Sequence, residues 1–235
     1  MELEKVTNER RAEPKRRYDD ACGTAHALEL IGERWALLVL RELLFGPRRF
    51  SELRGDLPGI SANVLTQRLA ELEERGLVRR IKLPPPASVQ VYEATPWGLE
   101  VEPIVQSIGR WAARSPAHDP TLPISGVSVL LSFRTMISEK RAKGFDAKIG
   151  FRFGADRYVA RIRKGGIKVI KGPVEGADAI ITAAPTLLAA VVYGGQPLDL
   201  LVIEGDRAVV ERFVTLFPLP SKVDAKGVEA GKASA

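Results

Sequence analysis

Apolar positions between residues 24 and 75 recur at helical spacing, broken by short turns. Thr24 is placed to cap a helix running to about Ile31, with Leu28 and Ile31 on one side, and Gly32 breaks it. The segment Trp35–Phe45 is apolar nearly all round, the signature of a helix buried within a bundle, and Gly46-Pro47 ends it. Phe50, Leu53 and Leu57 mark a short helix, and Pro58-Gly59-Ile60 a turn. Ser61 is the N-cap candidate of a helix over 62–75, which Gly76 terminates. Along it Leu65, Leu69 and Leu72 form a 3.6-period stripe, while Asn63, Thr66, Gln67 and Ala70 fall on outward faces.

A short helix, a tight turn and a longer helix with an uncharged polar N-terminal face make a helix-turn-helix pattern. Residues 77–83 and 89–93 read as two strands around Pro84-Pro85-Pro86-Ala87-Ser88, a hairpin wing with a proline-stiffened tip. Thr95-Pro96 starts a further helix by the cap-plus-proline rule. Trp97, Val101, Ile104, Ile108 and Trp111 recur as a narrow seam, expected to pair with a second copy of the chain, with a kink or two short helices at Pro103.

The texture changes after residue 114. Ser115–Ser125 holds three prolines and reads as a linker. Val127–Ile137 is apolar and read as a helix. Short strands are expected at 148–153, 158–163, 167–170 and 179–182, then an apolar helix over 185–193, a last strand at 200–203 and a helix over 207–217. Consecutive strands followed by helices imply an α+β unit. The expected organisation is a disordered basic arm (1–20), a mainly-α winged helix-turn-helix unit for DNA binding and dimerisation (21–114), a linker (115–125), an α+β ligand-binding unit (126–218) and a flexible tail (219–235).

Composition narrows the class. The chain has 235 residues, 45% hydrophobic and 27% charged, as in an ordinary soluble globule. No run is long enough for a membrane span, and the charged N-terminus lacks the apolar core of a secretory signal, so a cytoplasmic protein is expected. One cysteine, Cys22, excludes disulfides within the chain, and two histidines with one cysteine cannot build a usual zinc site. The net charge of +6 is uneven: residues 1–118 hold 18 Lys+Arg against 17 Asp+Glu, and residues 119–235 hold 17 against 12. Basic clusters stand at Arg10–Arg17, at Arg48-Arg49 and at Arg79, Arg80 and Lys82. From Arg134 to Lys171, 12 Lys/Arg oppose Glu139, Asp146 and Asp156, a net of +9 that alternating strands would put on an outer face.

Catalytic signatures are missing: the chain has no G-x-S-x-G and no H-E-x-x-H, and Gly227–Ala233 is one residue short of a phosphate-binding loop. No enzyme activity, cofactor or metal is expected. Cys22 lies just before a helix start, where the dipole lowers a thiol pKa, which makes it a redox candidate.

Residues 18–114 resemble the HxlR-type winged helix-turn-helix transcription regulators. The resemblance rests on Cys22 ahead of His26–Trp35, on Arg49-Phe50-Ser51-Glu52-Leu53, on Gly59–Leu69 with Glu71-Leu72 and Gly76-Leu77-Val78, and on Tyr92-Glu93-Ala94-Thr95-Pro96 with Gly98. It implies a homodimer that binds double-stranded DNA at a pseudo-palindromic operator. On the matching positions Arg49, Ser61, Asn63, Thr66, Gln67, Arg80 and Lys82 become the expected DNA contacts. The triple-proline tip departs from the family in lacking a basic residue, and Lys82 is the nearest one. Residues 126–218 look like a sterol carrier protein-like domain, through Ile180-Ile181-Thr182-Ala183-Ala184-Pro185 leading into Leu187-Leu188 and Glu204-Gly205-Asp206 before an apolar helix. That resemblance implies an apolar tunnel for a hydrophobic small molecule, with Phe151, Phe153, Leu188, Val192 and Phe213 as lining candidates. The leading expectation is a transcription regulator responsive to that molecule. The alternative is a regulator that senses through Cys22, with the second unit serving only dimer architecture.

Overall fold

The structure, a computed structural model, describes residues 18–224. Most of the expected basic arm and tail, and the Gly227–Ala233 segment, lie outside the described residues.

Helix α1 (Gly23–Ile31) is capped by Cys22 and not by Thr24, which sits inside the first turn. Leu28 and Ile31, placed on one side by the pattern, differ: Ile31 packs against the core and Leu28 is exposed. Helix α2 (Ala36–Leu43) begins from Trp35, a non-glycine residue held at φ 79°. Val39, Leu40 and Leu43 are buried, whereas Leu38 looks outward, so the helix is covered on most of its circumference and not all round. Helix α3 (Phe50–Asp56) and helix α4 (Ala62–Glu74) follow. Leu65, Leu69 and Leu72 bury the stripe of α4 against α2. The end of α4 is a Schellman motif: Leu77 N–H donates to Leu72 O (2.9 Å) and Gly76 N–H to Glu73 O (3.0 Å), with Gly76 at φ +73°. That reversal feeds strand β1 (Val78–Lys82), which pairs antiparallel with β2 (Gln90–Ala94), Val78 opposite Ala94 and Lys82 opposite Gln90. Arg48 and Tyr92 exchange backbone hydrogen bonds, tying the start of α3 to the wing.

Thr95 caps helix α5 (Pro96–Leu99), its hydroxyl accepting from Gly98 N and donating to Gly76 O at 2.7 Å. Gly98 lies on the wing root: a Cβ there would stand 2.0 Å from Leu77 O. Pro103 sits in the first turn of a separate helix α6 (Glu102–Ala112), where proline's missing N–H costs nothing. The expected five-residue seam is therefore split. Val101, between the two helices, is buried and does not belong to the exposed face.

Residues 113–125 contain no helix or strand. Their last residue, Ser125, is buried, caps helix α7 (Gly126–Met136) and donates to Glu42 Oε1 at 2.9 Å. Beyond the short helix α8 (Glu139–Ala142), strands β3 (Ala147–Phe153), β4 (Asp156–Arg163), β5 (Gly166–Lys171), β6 (Ala179–Thr182) and β7 (Val202–Gly205) form one sheet in the order β5-β4-β3-β6-β7. The β3–β6 pair is parallel and the other pairs are antiparallel. Helices α9 (Pro185–Gly194) and α10 (Arg207–Val214) join α7 on one face of the sheet. Phe133 of α7 is the centre of that core, with ring centroids 4.6 Å from Phe217, 5.3 Å from Phe213 and 6.2 Å from Phe151. On β4 the alternation sends Tyr158, Ala160 and Ile162 inward and leaves Arg161 and Arg163 exposed, as the period of two requires. Helix α10 ends three residues earlier than the apolar pattern implied, yet Leu216 and Phe217 remain buried. The last strand begins two residues later than expected, after a 3-10 turn at Leu198–Leu200.

The two halves share one continuous apolar core, with α7 packed on both α2 and α6. Polar links cross the same boundary. Arg134 pairs with Glu102 at 2.8 Å, and Arg110 donates to Thr135 O at 2.6 Å.

Candidate nucleic-acid interface

The site begins at the turn between α3 and α4. Ser61 leaves the turn in extended conformation, and its hydroxyl accepts from Val64 N–H at 3.3 Å. Capping fixes the start of α4, and with it the direction of the first two helical turns. Asn63, Thr66 and Gln67 stand exposed there. Thr66 Oγ1 donates to Ala62 O (2.9 Å), and Gln67 Nε2 donates to Glu71 Oε1 (3.0 Å), so both partners are local, four residues away on the same helix. Arg68 faces the other way: it is buried and pairs with Glu71 at 2.8 Å and Glu33 at 3.4 Å.

The wing supplies the basic groups. Arg80 and Lys82 are exposed and, by the two-residue period, share a face of β1. Arg79 pairs with Glu93, directly opposite on β2. Arg49 is exposed at the start of α3, where its backbone N–H is held by Glu52 Oε2 at 2.9 Å. All seven expected DNA contacts are therefore exposed.

Arg48, grouped with Arg49 as a basic cluster in the sequence, is separated from it by the structure. It is 3% exposed. Its guanidinium donates to Asp156 Oδ2 and to Tyr158 Oη, each at 2.5 Å, and lies 3.6 Å from Asp56. Asp156 also takes Lys171 at 3.1 Å. Burial raises the Asp156 carboxyl, but Arg48 and Lys171 outweigh it and hold it below the ordinary value. Asp56 moves upward, because its burial outweighs the nearby Arg48. Burial drives the Tyr158 phenol far up, so it stays a neutral hydrogen-bonding group. Glu42, fully buried in α2, is also raised by burial, despite Arg41 at 2.7 Å and the Ser125 hydroxyl. These groups join the helical unit and its wing to the α+β unit.

The expected dimer face is largely open. Trp97, Ile104 and Ile108 are close to half exposed and Trp111 is 74% exposed, with Leu99 beside them. Such a row is costly to leave in water.

The five expected ligand contacts divide. Phe151, Leu188 and Phe213 are fully buried in the packed core, and Val192 packs against it. Phe153 alone of the five borders a cleft of about 520 Å³, which opens between the α3–α4 turn and the sheet. Cys22 is exposed, and its thiol is lowered chiefly by the backbone N–H of Thr24, then by the Thr24 hydroxyl and the Ala25 N–H.

Sequence reasoning missed Arg48, Asp56, Asp156 and Tyr158 as one cluster. Arg48 and Asp156 are 108 residues apart, and no local period signals such a meeting.

A family profile described as HxlR-like helix-turn-helix matches residues 30–119. The HTH-type transcriptional regulator YvaP of Bacillus subtilis, itself uncharacterised, is 38% identical over 86 residues, covering 37% of this chain and 80% of its own. The HTH-type transcriptional regulator YodB of the same organism is 36% identical over 86 residues, covering 37% and 77%. A solved structure of YodB in its reduced form is 33% identical and superposes with a TM-score of 0.38, covering 42% of this chain and 98% of that one. With four-fifths of one such relative spanned at this identity, the chain belongs to the HxlR-like helix-turn-helix family of DNA-binding transcriptional regulators, and carries a further α+β unit after the matched segment.

Proposed function

We propose that the chain is a sequence-specific regulator that binds a pseudo-palindromic operator as a homodimer, with α4 in the major groove. The observation that carries this reading is the exposed, uncharged N-terminal half of α4 beside the exposed Arg80 and Lys82 of the wing. In this reading Ser61, Asn63, Thr66 and Gln67 reach bases or phosphates, and Arg49, Arg80 and Lys82 hold the DNA backbone. The open face of Trp97, Ile104, Ile108 and Trp111 pairs with its copy, and two-fold symmetry sets half-sites about one helical turn apart. Residues 21–114 then form the DNA-binding and dimerisation unit, 115–125 its connection, and 126–218 a sterol carrier protein-like unit that takes a hydrophobic small molecule as effector. The protein works in the cytoplasm and catalyses no reaction. The test is affinity for an operator recovered from random duplex DNA, with and without a panel of fatty acids and hydrophobic metabolites. Loss of affinity in Asn63→Ala and Gln67→Ala supports α4 as the reader, and unchanged affinity in both removes it.

A second reading, sensing through Cys22 with the α+β unit only bracing the dimer, is favoured by one observation: the thiol is exposed at a helix start that lowers its pKa. Peroxide treatment of wild type and Cys22→Ser tests it. Equal operator affinity before and after, in both proteins, excludes it.

A further inference from the structure

We infer that Glu71 is the positioning residue that decides which base Gln67 reads, by turning the Gln67 amide so that its carbonyl is the group left for the groove. The inference rests on the reading of α4 as the helix that enters the major groove.

Asn63, Gln67 and Glu71 follow one another at a spacing of four along one face of α4. Gln67 is exposed, and its Nε2 lies 3.0 Å from Glu71 Oε1. An ionised carboxylate only accepts hydrogen bonds, so the amide offers its nitrogen to Glu71 and not its oxygen. One N–H is used there. What remains of the amide for a base is the Oε1 acceptor and a single N–H. The neighbouring Thr66 is turned in the same sense: its one hydroxyl proton goes to Ala62 O at 2.9 Å, which leaves only lone pairs.

Glu71 can hold the amide because it is itself held. Its Oε2 is buried and lies 2.8 Å from the guanidinium of Arg68, which is buried too. Arg68 in turn is 3.4 Å from Glu33, just beyond α1. Arg75, one turn after Glu71 and 4.0 Å from it, donates to Leu30 O of α1 at 2.8 Å. The inner oxygen of Glu71 is thus tied to the core side of the helix, and the outer oxygen orients Gln67.

Base edges then sort by donor and acceptor. Adenine presents an amino donor at N6 beside the N7 acceptor, and a carbonyl with one N–H matches both. Cytosine presents its N4 amino donor and is matched once. Guanine offers only acceptors at N7 and O6, and thymine an acceptor at O4 beside a methyl group, so neither has a donor for the Gln67 carbonyl. With Glu71 in place, the position under Gln67 takes adenine first, then cytosine. An amide free to flip turns its N–H groups to guanine or thymine as well, and the rejection of those bases falls.

The test is base preference of the full chain at each position of an operator recovered from random duplex DNA. Gln67→Ala identifies the position that Gln67 reads. There wild type should favour adenine over guanine and thymine by at least about tenfold. Glu71→Gln keeps the length of the side chain and an oxygen for Arg68, but either amide can then donate to the other. It should bring guanine or thymine to within about threefold of adenine, with preferences at the other positions kept. Removing a negative charge beside DNA strengthens binding to all sequences alike, and a loosened helix weakens it to all alike, so only this ratio reports positioning. A measurement on wild type needs no variant to fold: purine in place of that adenine lacks the 6-amino group and should bind at least about fivefold more weakly. If Gln67→Ala changes preference at no position, the reading of α4 falls and this inference with it. If Gln67→Ala relaxes one position, three results keep the reading and overturn the role of Glu71: adenine preference intact in Glu71→Gln, purine bound like adenine, or guanine favoured there by wild type.

Discussion

Arg48 donates to Asp156 at 2.5 Å, joining residue positions at the root of the wing and at the start of a sheet strand 108 residues later. The same Arg48 exchanges backbone hydrogen bonds with Tyr92, so one residue holds both the wing and the α+β unit. A guanidinium 3% exposed and met by two carboxylates and a phenol is satisfied only while the halves stay docked.

Arg48→Ala should therefore cost about 3 kcal/mol, because the buried Tyr158 hydroxyl loses its partner and Asp156 keeps only Lys171. Urea denaturation measures the loss, and a cycle with Asp156→Ala isolates the pair. Additive effects of the two substitutions would show that the contact does not hold the units together.

Glu42 gives the pH dependence. Burial raises its carboxyl above the ordinary glutamate value of 4.5, so the fold prefers the protonated form. For a group whose folded pKa is raised, the stabilising contribution is complete below the unfolded value and is lost as pH rises through the folded one. Glu42→Gln removes that loss. Its stability relative to wild type should improve as pH goes from 4.5 towards neutrality, the opposite trend to Asp156, whose depressed carboxyl stabilises the fold above its ordinary 3.8. Denaturant midpoints at several pH values check this; a difference that does not change with pH contradicts it.

Base reading and backbone holding separate in a binding assay. Gln67→Ala should relax preference at one operator position by about 1–3 kcal/mol, after the cost of breaking its bond to Glu71. Lys82→Ala should weaken all sequences alike and reduce the salt slope by about one.

Ile108→Asp places a charge in the middle of the open α5–α6 face. Sedimentation at micromolar concentration should show a monomer, with operator affinity collapsing because each half-site is then bound alone. A dimer that survives this substitution uses another face.

The helix-turn-helix unit was legible because its signals are local. Ser61 as cap, the Leu65, Leu69 and Leu72 stripe and Gly76 as terminator each act within a turn or two of helix, and all stand where the pattern put them. The strands of the second unit were legible for the same reason. Thr24 failed as a cap because Cys22, with no side-chain hydrogen bond of its own, holds the extended conformation at the helix start. Val101 failed because one helical period was carried across the break between Leu99 and Glu102, where Val101 is the N-cap of a new helix. The junction was invisible because it joins distant segments. Arg48 and Arg49 look alike in sequence, and only the meeting of Arg48 with Asp156 and Tyr158 of β4 sets them apart, one buried and the other in water.

The absence of a side chain at Gly98 works as a gear tooth. With 2.0 Å between its Cβ direction and Leu77 O, and Thr95 tying the same corner, α5 cannot tilt without turning the hairpin root. In the proposed dimer, whatever sets the angle between two copies across α5 and α6 would therefore also set the reach of the hairpin, so that one rotation would adjust both the spacing of half-sites and the grip on each. Gly98→Ala jams that gear, and its signature is a change in preferred half-site spacing, read from operators with one base pair added or removed at the centre.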